Sequence, residues 1–145
     1  MIIRRPEAKD FDAWARLYAG YAGFYGVEQT EGMRARVWTW IHDPDHEVEG
    51  LVAEVDGGLV GLAHFRAFAR PLSASVGGFL DDLFVDPAAR GAGAAAALIG
   101  AVEAEGRNRG WTVLRWITAE NNYRARGVYD QVATRTPWVT YDIKL

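Results

Sequence analysis

The chain has 145 residues, 50% of them hydrophobic, and a formal net charge of -3, which predicts one globular domain spanning residues 1–145. It contains no cysteine, and this excludes disulfides, thiolate metal sites and a cysteine nucleophile. It has neither an apolar run long enough to cross a bilayer nor a cluster of Lys and Arg typical of nucleic-acid binding, so we expect a soluble cytoplasmic protein without membrane or nucleic-acid partners.

The N-terminal region predicts a short strand followed by a helix with an aromatic face. Residues 2–5 are typical of a strand, and Phe11, Trp14 and Tyr18 then recur at helical spacing, which favours a face packed against the core. Glycines interrupt the next stretch, so we expect an irregular loop over residues 21–27. The aromatic side chains of this loop are candidates for the wall of an acceptor site: Tyr21, Phe24 and Tyr25.

A second helix and a hairpin follow. Thr30 is a typical N-cap, and the helix is expected to end before Pro44. The sequence Asp-Gly-Gly at 56–58 separates two apolar runs, residues 48–55 and 59–68. Because Asp and Gly tolerate positive φ, this pattern predicts two antiparallel strands joined by a tight turn.

Residues 80–95 combine a strand, a glycine-rich turn and the start of a helix. The strand LDDLFV at 80–85 ends before Pro87, because proline cannot donate to a sheet. Small residues follow Arg90, so backbone N–H groups can approach a ligand closely. An alanine-rich run to about Arg109 then predicts a helix whose positive N-terminal end faces the turn. This arrangement predicts a pyrophosphate site, with Arg90 as an additional charge partner.

Two other phosphate-binding motifs are excluded by the residues of the turn. A dinucleotide fingerprint requires a third glycine three residues after the second, and that position is Ala96. A P-loop requires Gly-Lys followed by Ser or Thr, and the chain lacks that triplet. The remaining alternative is an ordinary strand-to-helix turn that holds no ligand.

The C-terminal third predicts a strand, a helix and a final strand. Residues 111–117 are typical of a strand, and residues 122–132 of a short helix. Between 136 and 143 the apolar and polar residues alternate, which predicts a terminal strand. With Trp138 and Tyr141 on such an edge strand, a homodimer is a reasonable expectation.

Two separate segments resemble the GNAT superfamily of N-acetyltransferases. The order from Arg90 to Ala95 is similar to that family's acetyl-coenzyme A (acetyl-CoA) signature, Arg/Gln-x-x-Gly-x-Gly/Ala. Downstream, Asn122 and Tyr129 stand at the separation expected for the family's later strand and helix. The run at 80–85 also resembles the spermidine/spermine N-acetyltransferases, and the C-terminal half is similar to the histone and polyamine acetyltransferases. The resemblance covers nearly the whole chain and implies a mixed α/β domain with a mostly antiparallel sheet flanked by helices.

The resemblance implies acetyl-CoA as the acetyl donor and a primary amine, on a small molecule or a peptide, as the acceptor. The residues expected at the cofactor come from the strand, the turn and the later helix: Leu83, Phe84, Val85, Arg90, Gly91, Ala92, Gly93, Ala94, Ala95, Ala96 and Asn122. In the family pattern, main-chain groups of Leu83 and Val85 pair with the pantetheine arm, and a main-chain N–H near Phe84 holds the thioester oxygen. Asn122 is also a typical helix N-cap, and both roles can hold together.

The same resemblance implies the groups that move protons. Tyr129 resembles the general acid that protonates the departing thiolate. An alkylamine has a pKa near about 10.4 and arrives charged, so it must lose a proton to a base. Asp81 and Asp82 are the candidates, and since adjacent strand residues point to opposite faces, we expect only one of them to face the site. The subfamily likeness favours Asp81, whose short side chain makes a relay through water plausible.

The three histidines do not predict a metal site. His42 and His46 are close in sequence, but Pro44 between them prevents the continuous helix that such a metal pair usually needs. His64 is a candidate secondary base, or a histidine held by structural hydrogen bonds.

These observations predict an acetyl-CoA-dependent N-acetyltransferase that works by direct attack of the amine in a ternary complex. The resemblance of residues 80–85 to the spermidine/spermine enzymes favours polyamine-like acceptors, and Glu28 and Glu31 near the proposed acceptor loop could complement such a cationic molecule. The alternative is a non-catalytic module of the same fold that binds acyl-CoA as a sensor or to control a partner.

Overall fold

The computed structural model describes all of residues 1–145. Its main elements, in chain order, are β1 (Ile2–Arg4), α1 (Phe11–Phe24), α2 (Glu31–His42), β2 (Glu49–Val55), β3 (Gly58–Arg70), β4 (Ser75–Val85), α3 (Ala94–Arg109), β5 (Leu114–Arg115) and α4 (Tyr123–Val132). The strands form one sheet in the order β1-β2-β3-β4-β5, antiparallel except for the parallel pair β4 and β5. The mixed α/β fold with a mostly antiparallel sheet is thus confirmed. None of the helices has the length and apolar character that crossing a membrane requires.

Helices cover both faces of the sheet and divide the core into two clusters. The face toward α1 and α2, called the α1 face below, buries one cluster: Trp14, Leu17, Tyr18, Val52, Leu62 and Phe84. The face toward α3, called the α3 face, buries the other: Ala53, Ala63, Phe65, Leu80, Ala94, Leu98, Ile99 and Val102. Side chains alternate between the two faces along each strand.

The local turn and cap predictions are confirmed. Asp56 and Gly57 have φ of 51° and 79°, as expected for a two-residue hairpin turn of type I′. The Thr30 hydroxyl accepts a hydrogen bond from the Met33 N–H at 3.1 Å and so caps α2. The third helix ends at Gly110, whose φ is 73°.

A bulge interrupts β4 at its two aspartates. His64 of β3 pairs with Asp82, and the next residue, Phe65, pairs with Leu80, so Asp81 is an additional residue in β4. A bulge breaks the strict alternation of faces. The expectation that the two aspartates point to opposite faces is therefore wrong, because the α1 face carries both.

The first helix continues through residues that we expected to form a loop. It ends at Phe24, and the chain turns away only at Gly26, whose φ is 64°. Gly20 lies inside the helix, where a Cβ would come within 3.2 Å of the Phe84 ring. The absence of a side chain at this position allows the helix to pack closely against that ring. The loop prediction over residues 21–27 is wrong for its first half, since this glycine serves close packing and not a turn.

The strand predictions at the C-terminal end are only partly confirmed. The fifth strand is limited to Leu114–Arg115, and residues 133–145 form no strand. Trp138 and Tyr141 are 82% and 90% exposed. Alternating side chains make a segment able to pair, but a strand forms only beside a partner, and here no neighbouring strand pairs with this segment.

The Trp111 ring gives a direct test of packing on α3. A Cβ added at Gly106 would lie 2.6 Å from that ring, whereas a Cβ at Gly100 on the same helix would meet nothing within 4 Å. Both substitutions to Ala gain the same helix propensity, so the comparison isolates overpacking. We expect Gly106→Ala to lower the free energy of unfolding relative to Gly100→Ala by about 1–3 kcal/mol. Urea denaturation measures this difference, and equal stabilities would contradict the packing.

Candidate active site

A cleft of about 570 Å³ lies along the C-terminal end of β4. Its walls come from β4, the start of α3, α4 and the C-terminal end of α1: Tyr21, Phe24, Tyr25, Leu83, Phe84, Val85, Arg90, Gly91, Gly93, Ala94, Ala95, Ala96, Asn122, Arg124, Ala125, Val128, Tyr129 and Gln131. Every residue predicted at the cofactor lines this cleft except Ala92, and Tyr129 lines it as well. Asp81 and Asp82 lie outside its lining.

The glycine turn presents backbone N–H groups at one end of the cleft. Gly91 and Gly93 have φ of 91° and 83°, a backbone region that favours glycine. The helix then begins without a side-chain cap, and the N–H groups of Ala94, Ala95 and Ala96 have no hydrogen-bond partner within the protein. Free N–H groups at the positive end of a helix dipole favour an anionic ligand. The turn therefore has the chemistry that a pyrophosphate requires.

The open edge of β4 presents main-chain groups along the cleft. β5 pairs with β4 only at Gly78 and Phe79, so the strand beyond them has no neighbour on that edge. The Asp86 N–H donates to the carbonyl of β3 residue Val60 at 2.8 Å. Since main-chain groups of alternate residues point to the same edge, those of Phe84 also face β3.

By the same alternation, the main-chain groups of Leu83 and Val85 face the open edge of β4. They are available to an extended ligand in the manner of an added strand. The N–H groups near Phe84 that can reach the cleft are thus those of its two neighbours, not its own.

Tyr129 brings a phenol into the cleft from α4. Its ring packs edge-on against Trp116, with the centroids 5.4 Å apart. Burial and the nearby Tyr25 raise the pKa of the Tyr129 hydroxyl to about 12, and no hydrogen bond contributes to that change. The phenol is therefore protonated at neutral pH, and its O–H remains free to donate.

Asn122 caps α4 at the other side of the cleft. Its side-chain oxygen accepts a hydrogen bond from the Ala125 N–H at 3.4 Å, and its amide donates to the Thr118 hydroxyl at 3.4 Å. Because Asn122 also lines the cleft, capping the helix and facing a ligand are compatible roles.

Asp82 is a half-buried carboxylate held by α1 and β3. Its Oδ2 accepts hydrogen bonds from the Tyr18 hydroxyl at 2.8 Å and from His64 Nδ1 at 2.8 Å. Although burial opposes the charge, hydrogen bonds from His64, Tyr18 and Tyr21 hold the pKa of Asp82 below its ordinary value of 3.8. Tyr21 lines the cleft, so its side chain connects this carboxylate to the cleft wall.

Asp81 has a different environment on the same face. It pairs with the Arg66 guanidinium, whose Nε lies 3.1 Å and 3.2 Å from the two carboxylate oxygens. Burial nevertheless raises the pKa of Asp81 above its ordinary value, and the neighbouring charge of Asp82 acts in the same direction. The structure thus makes Asp82 a fixed anion and Asp81 a carboxylate neutralised by an arginine.

His64 has both ring nitrogens occupied. Its Nε2 lies 3.0 Å from the indole nitrogen of Trp14, and its Nδ1 lies 2.8 Å from Asp82. The side chain is 1% exposed. These contacts fit a structurally held histidine, and no nitrogen lone pair is left for a substrate. The chain contains no group of His, Asp and Glu side chains arranged to hold a metal ion.

The cleft contains residues that our predicted cofactor and catalytic set does not include. Three come from the end of α1 and were considered only for an acceptor wall, and four lie on α4: Tyr21, Phe24, Tyr25, Arg124, Ala125, Val128 and Gln131. Helical spacing indicates that Ala125 also lines the cleft, because it shares a helix face with Asn122 and Tyr129. The aromatic residues at the end of α1 were expected only at an acceptor wall, and their contact with the cofactor cleft depends on how α1 packs on the sheet.

The chain is similar in sequence to known N-acetyltransferases. The family model for acetyltransferases of the GNAT family matches residues 14–133. A D-amino-acid N-acetyltransferase of Saccharomyces cerevisiae is 27% identical over 143 residues, covering 97% of this chain and 89% of the yeast protein. An uncharacterized N-acetyltransferase of Bacillus subtilis is 30% identical over 131 residues, covering 90% of this chain and 87% of that protein.

Solved structures share the fold over its full length. A ribosomal-protein-alanine N-acetyltransferase from Brucella melitensis superposes with a TM-score of 0.82 at 27% identity, covering 100% of both chains. An aminoglycoside N-acetyltransferase in complex with CoA superposes with a TM-score of 0.85 at 22% identity, covering 99% of this chain and 93% of that one. At 22% identity, the similarity to the aminoglycoside N-acetyltransferase shows only that the two proteins share a fold.

Proposed function

The chain belongs to the GNAT acetyltransferase family, and from this premise we propose that it acetylates a primary amine by direct attack on acetyl-CoA within a ternary complex. It is an acetyl-CoA-dependent N-acetyltransferase, and what we propose concerns its site residues, its acceptor and its assembly. The main observation in support of this proposal is the cleft. The free N–H groups of α3, the open edge of β4 and the Tyr129 phenol all line this one cavity.

The cofactor residues divide according to the part of acetyl-CoA that they contact. The turn from Arg90 to Ala96 binds the pyrophosphate through backbone N–H groups. Leu83 and Val85 hold the pantetheine arm through main-chain groups, and an N–H of one of them binds the thioester oxygen. Asn122 orders the arm from the α4 side while it caps that helix.

The reaction then requires two proton movements. The amine nitrogen bonds to the acetyl carbon, the carbon–sulfur bond breaks, and the thiolate leaves with the electron pair. Tyr129 donates a proton to that sulfur, and its phenol is replenished from solvent. The amine loses one proton to Asp82, which passes it to water.

Asp82 is better placed for this role than Asp81. It lies on the α1 face with Phe84, two residues away along the strand, which corresponds to about 7 Å, whereas Asp81 is farther along and paired with Arg66. Because the pKa of Asp82 is lowered, this carboxylate remains an anion that attracts and orients an ammonium group.

The acceptor is a small cationic amine. Two aromatic side chains at the end of α1, Phe24 and Tyr25, are 55% and 41% exposed at the mouth of the cleft. Aromatic faces and a carboxylate together favour an alkylammonium ion. A polyamine or an amino acid fits this description, and a lysine side chain of a protein is the larger alternative.

A panel assay that follows release of free thiol tests the proposed acceptor class. Diamines and polyamines, D- and L-amino acids, an aminoglycoside and a lysine peptide are each supplied with acetyl-CoA. We expect saturable turnover with one class of small amine. Turnover confined to the peptide would overturn the small-amine assignment, and release equal to that without any acceptor would overturn the acceptor proposal as a whole.

The C-terminal segment supports a homodimer. Residues 134–145 lie outside the sheet, and their alternating apolar side chains are largely exposed: Trp138, Val139, Tyr141, Ile143 and Leu145. Exposed alternating residues of this kind pair readily with another strand edge. In our proposal, residues 1–145 act as one domain, and this segment pairs with a second copy of the chain.

Light scattering after gel filtration measures the predicted dimer. Deleting residues 134–145, or changing Trp138 to Asp, should convert a dimer into a monomer because each removes apolar surface from the interface. Leu72→Asp is the matched control, since Leu72 is an exposed apolar residue in the short 3₁₀ helix Pro71–Ser73, outside the C-terminal segment. A monomeric native chain, or a dimer that persists in the deleted form, would contradict this assembly.

A further inference from the structure

A chain of hydrogen bonds connects the interior of α1 to the carboxylate of Asp82. The Trp14 indole lies 3.0 Å from His64 Nε2, and His64 Nδ1 lies 2.8 Å from Asp82 Oδ2. Trp14 and His64 are each 1% exposed. Resting on the role proposed for Asp82, we infer that Trp14 and His64 are positioning residues that lock the orientation of this carboxylate for acetyl transfer.

The indole determines which nitrogen of His64 carries the proton. An indole N–H can only donate, so Nε2 of His64 must accept, and in a neutral ring the proton is then on Nδ1. That N–H points to Asp82 Oδ2. An N–H on Nε2 would face the indole N–H, so the contact with Trp14 favours the tautomer that donates from Nδ1.

The hydrogen bonds from Tyr18 and His64 hold one oxygen of the Asp82 carboxylate. Both of them end on Oδ2. Oδ1 accepts neither of these two hydrogen bonds, and it is not a buried oxygen without a partner. Holding Oδ2 from two sides restricts rotation of the carboxylate and so fixes the position of Oδ1.

The other ionisable groups around this network are few. Tyr18 and Tyr21 approach Asp82 from α1, Arg66 lies next along β3, and Asp81 precedes it in β4. Both tyrosines are neutral because burial raises their pKa. A change of charge on His64 would therefore act on Asp82 without compensation from these groups.

Trp14→Phe tests whether the indole N–H positions His64 and Asp82, because it removes that N–H and retains an aromatic ring in the core. Without the indole N–H, His64 can protonate at Nε2 and become an imidazolium ion beside Asp82. We expect kcat to fall roughly tenfold, and an acidic limb that the native enzyme lacks to appear in its pH profile. Trp38→Phe is the matched control, since the Trp38 ring lies 5.0 Å from Trp14 and takes no part in the network.

Two substitutions at His64 distinguish the roles of its two ring nitrogens. The amide nitrogen of Asn occupies the position of Nδ1 and can still donate to Asp82, whereas that of Gln corresponds to Nε2. We expect His64→Asn to retain kcat within roughly threefold, while His64→Gln loses at least tenfold. Binding of CoA by calorimetry shows whether each variant is folded.

Nitrogen-15 NMR of the native histidines provides a readout that is independent of activity. The inference requires the His64 signal to be that of a neutral Nδ1–H tautomer, and an Nε2–H tautomer would overturn it. Equal kcat and equal pH profiles for Trp14→Phe and Trp38→Phe would overturn it as well. If Asp82→Asn itself retains full activity, the proposed role of Asp82 fails instead, and the two failures are thus distinguishable.

Discussion

Replacing Tyr129 by Phe should lower kcat by about 100-fold or more and leave the affinity for CoA nearly unchanged. The phenol lines the cleft and has no hydrogen bond that contributes to its pKa of about 12. Removing one oxygen therefore costs little packing or stability. It does remove the proton donor to the thiolate, so the loss is confined to the step in which the carbon–sulfur bond breaks. Single-turnover kinetics and calorimetry with CoA measure the two effects separately.

Tyr123→Phe on the same helix is the control for this substitution. Tyr123 is 74% exposed and does not line the cleft, so its replacement should change neither quantity. A Tyr129→Phe variant with native kcat would contradict the assignment of Tyr129 as the acid. A variant that loses CoA binding in proportion to activity would instead assign it a binding role.

The raised pKa of Tyr129 also predicts the alkaline side of the pH profile. Because burial moves the pKa of this phenol upward to about 12, the acid stays protonated well above its ordinary value of 10.0. We expect kcat/KM to rise with pH as the amine acceptor loses its proton, and to show no fall due to Tyr129 below about pH 11. A fall near pH 10 that disappears in Tyr129→Phe would contradict the burial argument.

Asp82→Asn should reduce kcat/KM for a cationic acceptor by roughly 100-fold. The substitution removes the negative charge and turns a donor N–H₂ toward the acceptor, because the Tyr18 hydroxyl and His64 Nδ1 both require an oxygen as their partner. The effect should appear mainly in kcat/KM for the amine, since the affinity for acetyl-CoA depends on the turn and the open edge of β4. Initial rates at varied amine and acetyl-CoA concentrations resolve the two.

Asp81→Asn is the matched control because Asp81 adjoins Asp82 and lies on the same face. Its partner Arg66 is exposed enough to remain hydrated, with 34% of its side chain accessible. We expect at most a few-fold loss, since a partly exposed ion pair contributes little. If Asp81→Asn inactivates the enzyme and Asp82→Asn does not, the two aspartates exchange roles and our assignment is wrong.

Lowering the pH should remove the stabilising contribution of the charged Asp82 carboxylate. Its pKa in the folded protein is below the ordinary 3.8, so the hydrogen bonds to its charged form stabilise the protein fully above that value. This stabilisation is lost as the pH falls through the lowered pKa. Activity measured between about pH 6 and 9 is therefore independent of the protonation of Asp82.

The strand, turn and helix around residues 80–95 could be predicted because each depends on nearby residues. Proline closes a strand through its own missing N–H, and glycine allows positive φ through its own missing side chain. The later helix was predicted for the same reason, from its spacing and its Asn122 cap. Of the residues that the family resemblance implied at the cofactor, all but Ala92 line the cleft.

The errors have a common physical cause, which is dependence on distant partners. Gly20 predicts a break in the helix by local propensity, which does not include the Phe84 ring that packs against it. The alternation over residues 136–143 predicted a strand, but pairing needs an edge that this chain does not supply to itself. Both are cases in which tertiary packing overrides a local preference.

Through its resemblance to the GNAT superfamily, the amino-acid sequence alone indicated the class of fold, acetyl-CoA as the donor and the tyrosine proposed as the acid, because each motif lies within one short segment. The tertiary structure alone decided what surrounds the two aspartates. The bulge depends on the register between β3 and β4. The proton on His64 depends on Trp14, which is 50 positions away, and on Asp82, which is 18 positions away. No pattern within one element contains such contacts, since they exist only once α1 packs against the sheet.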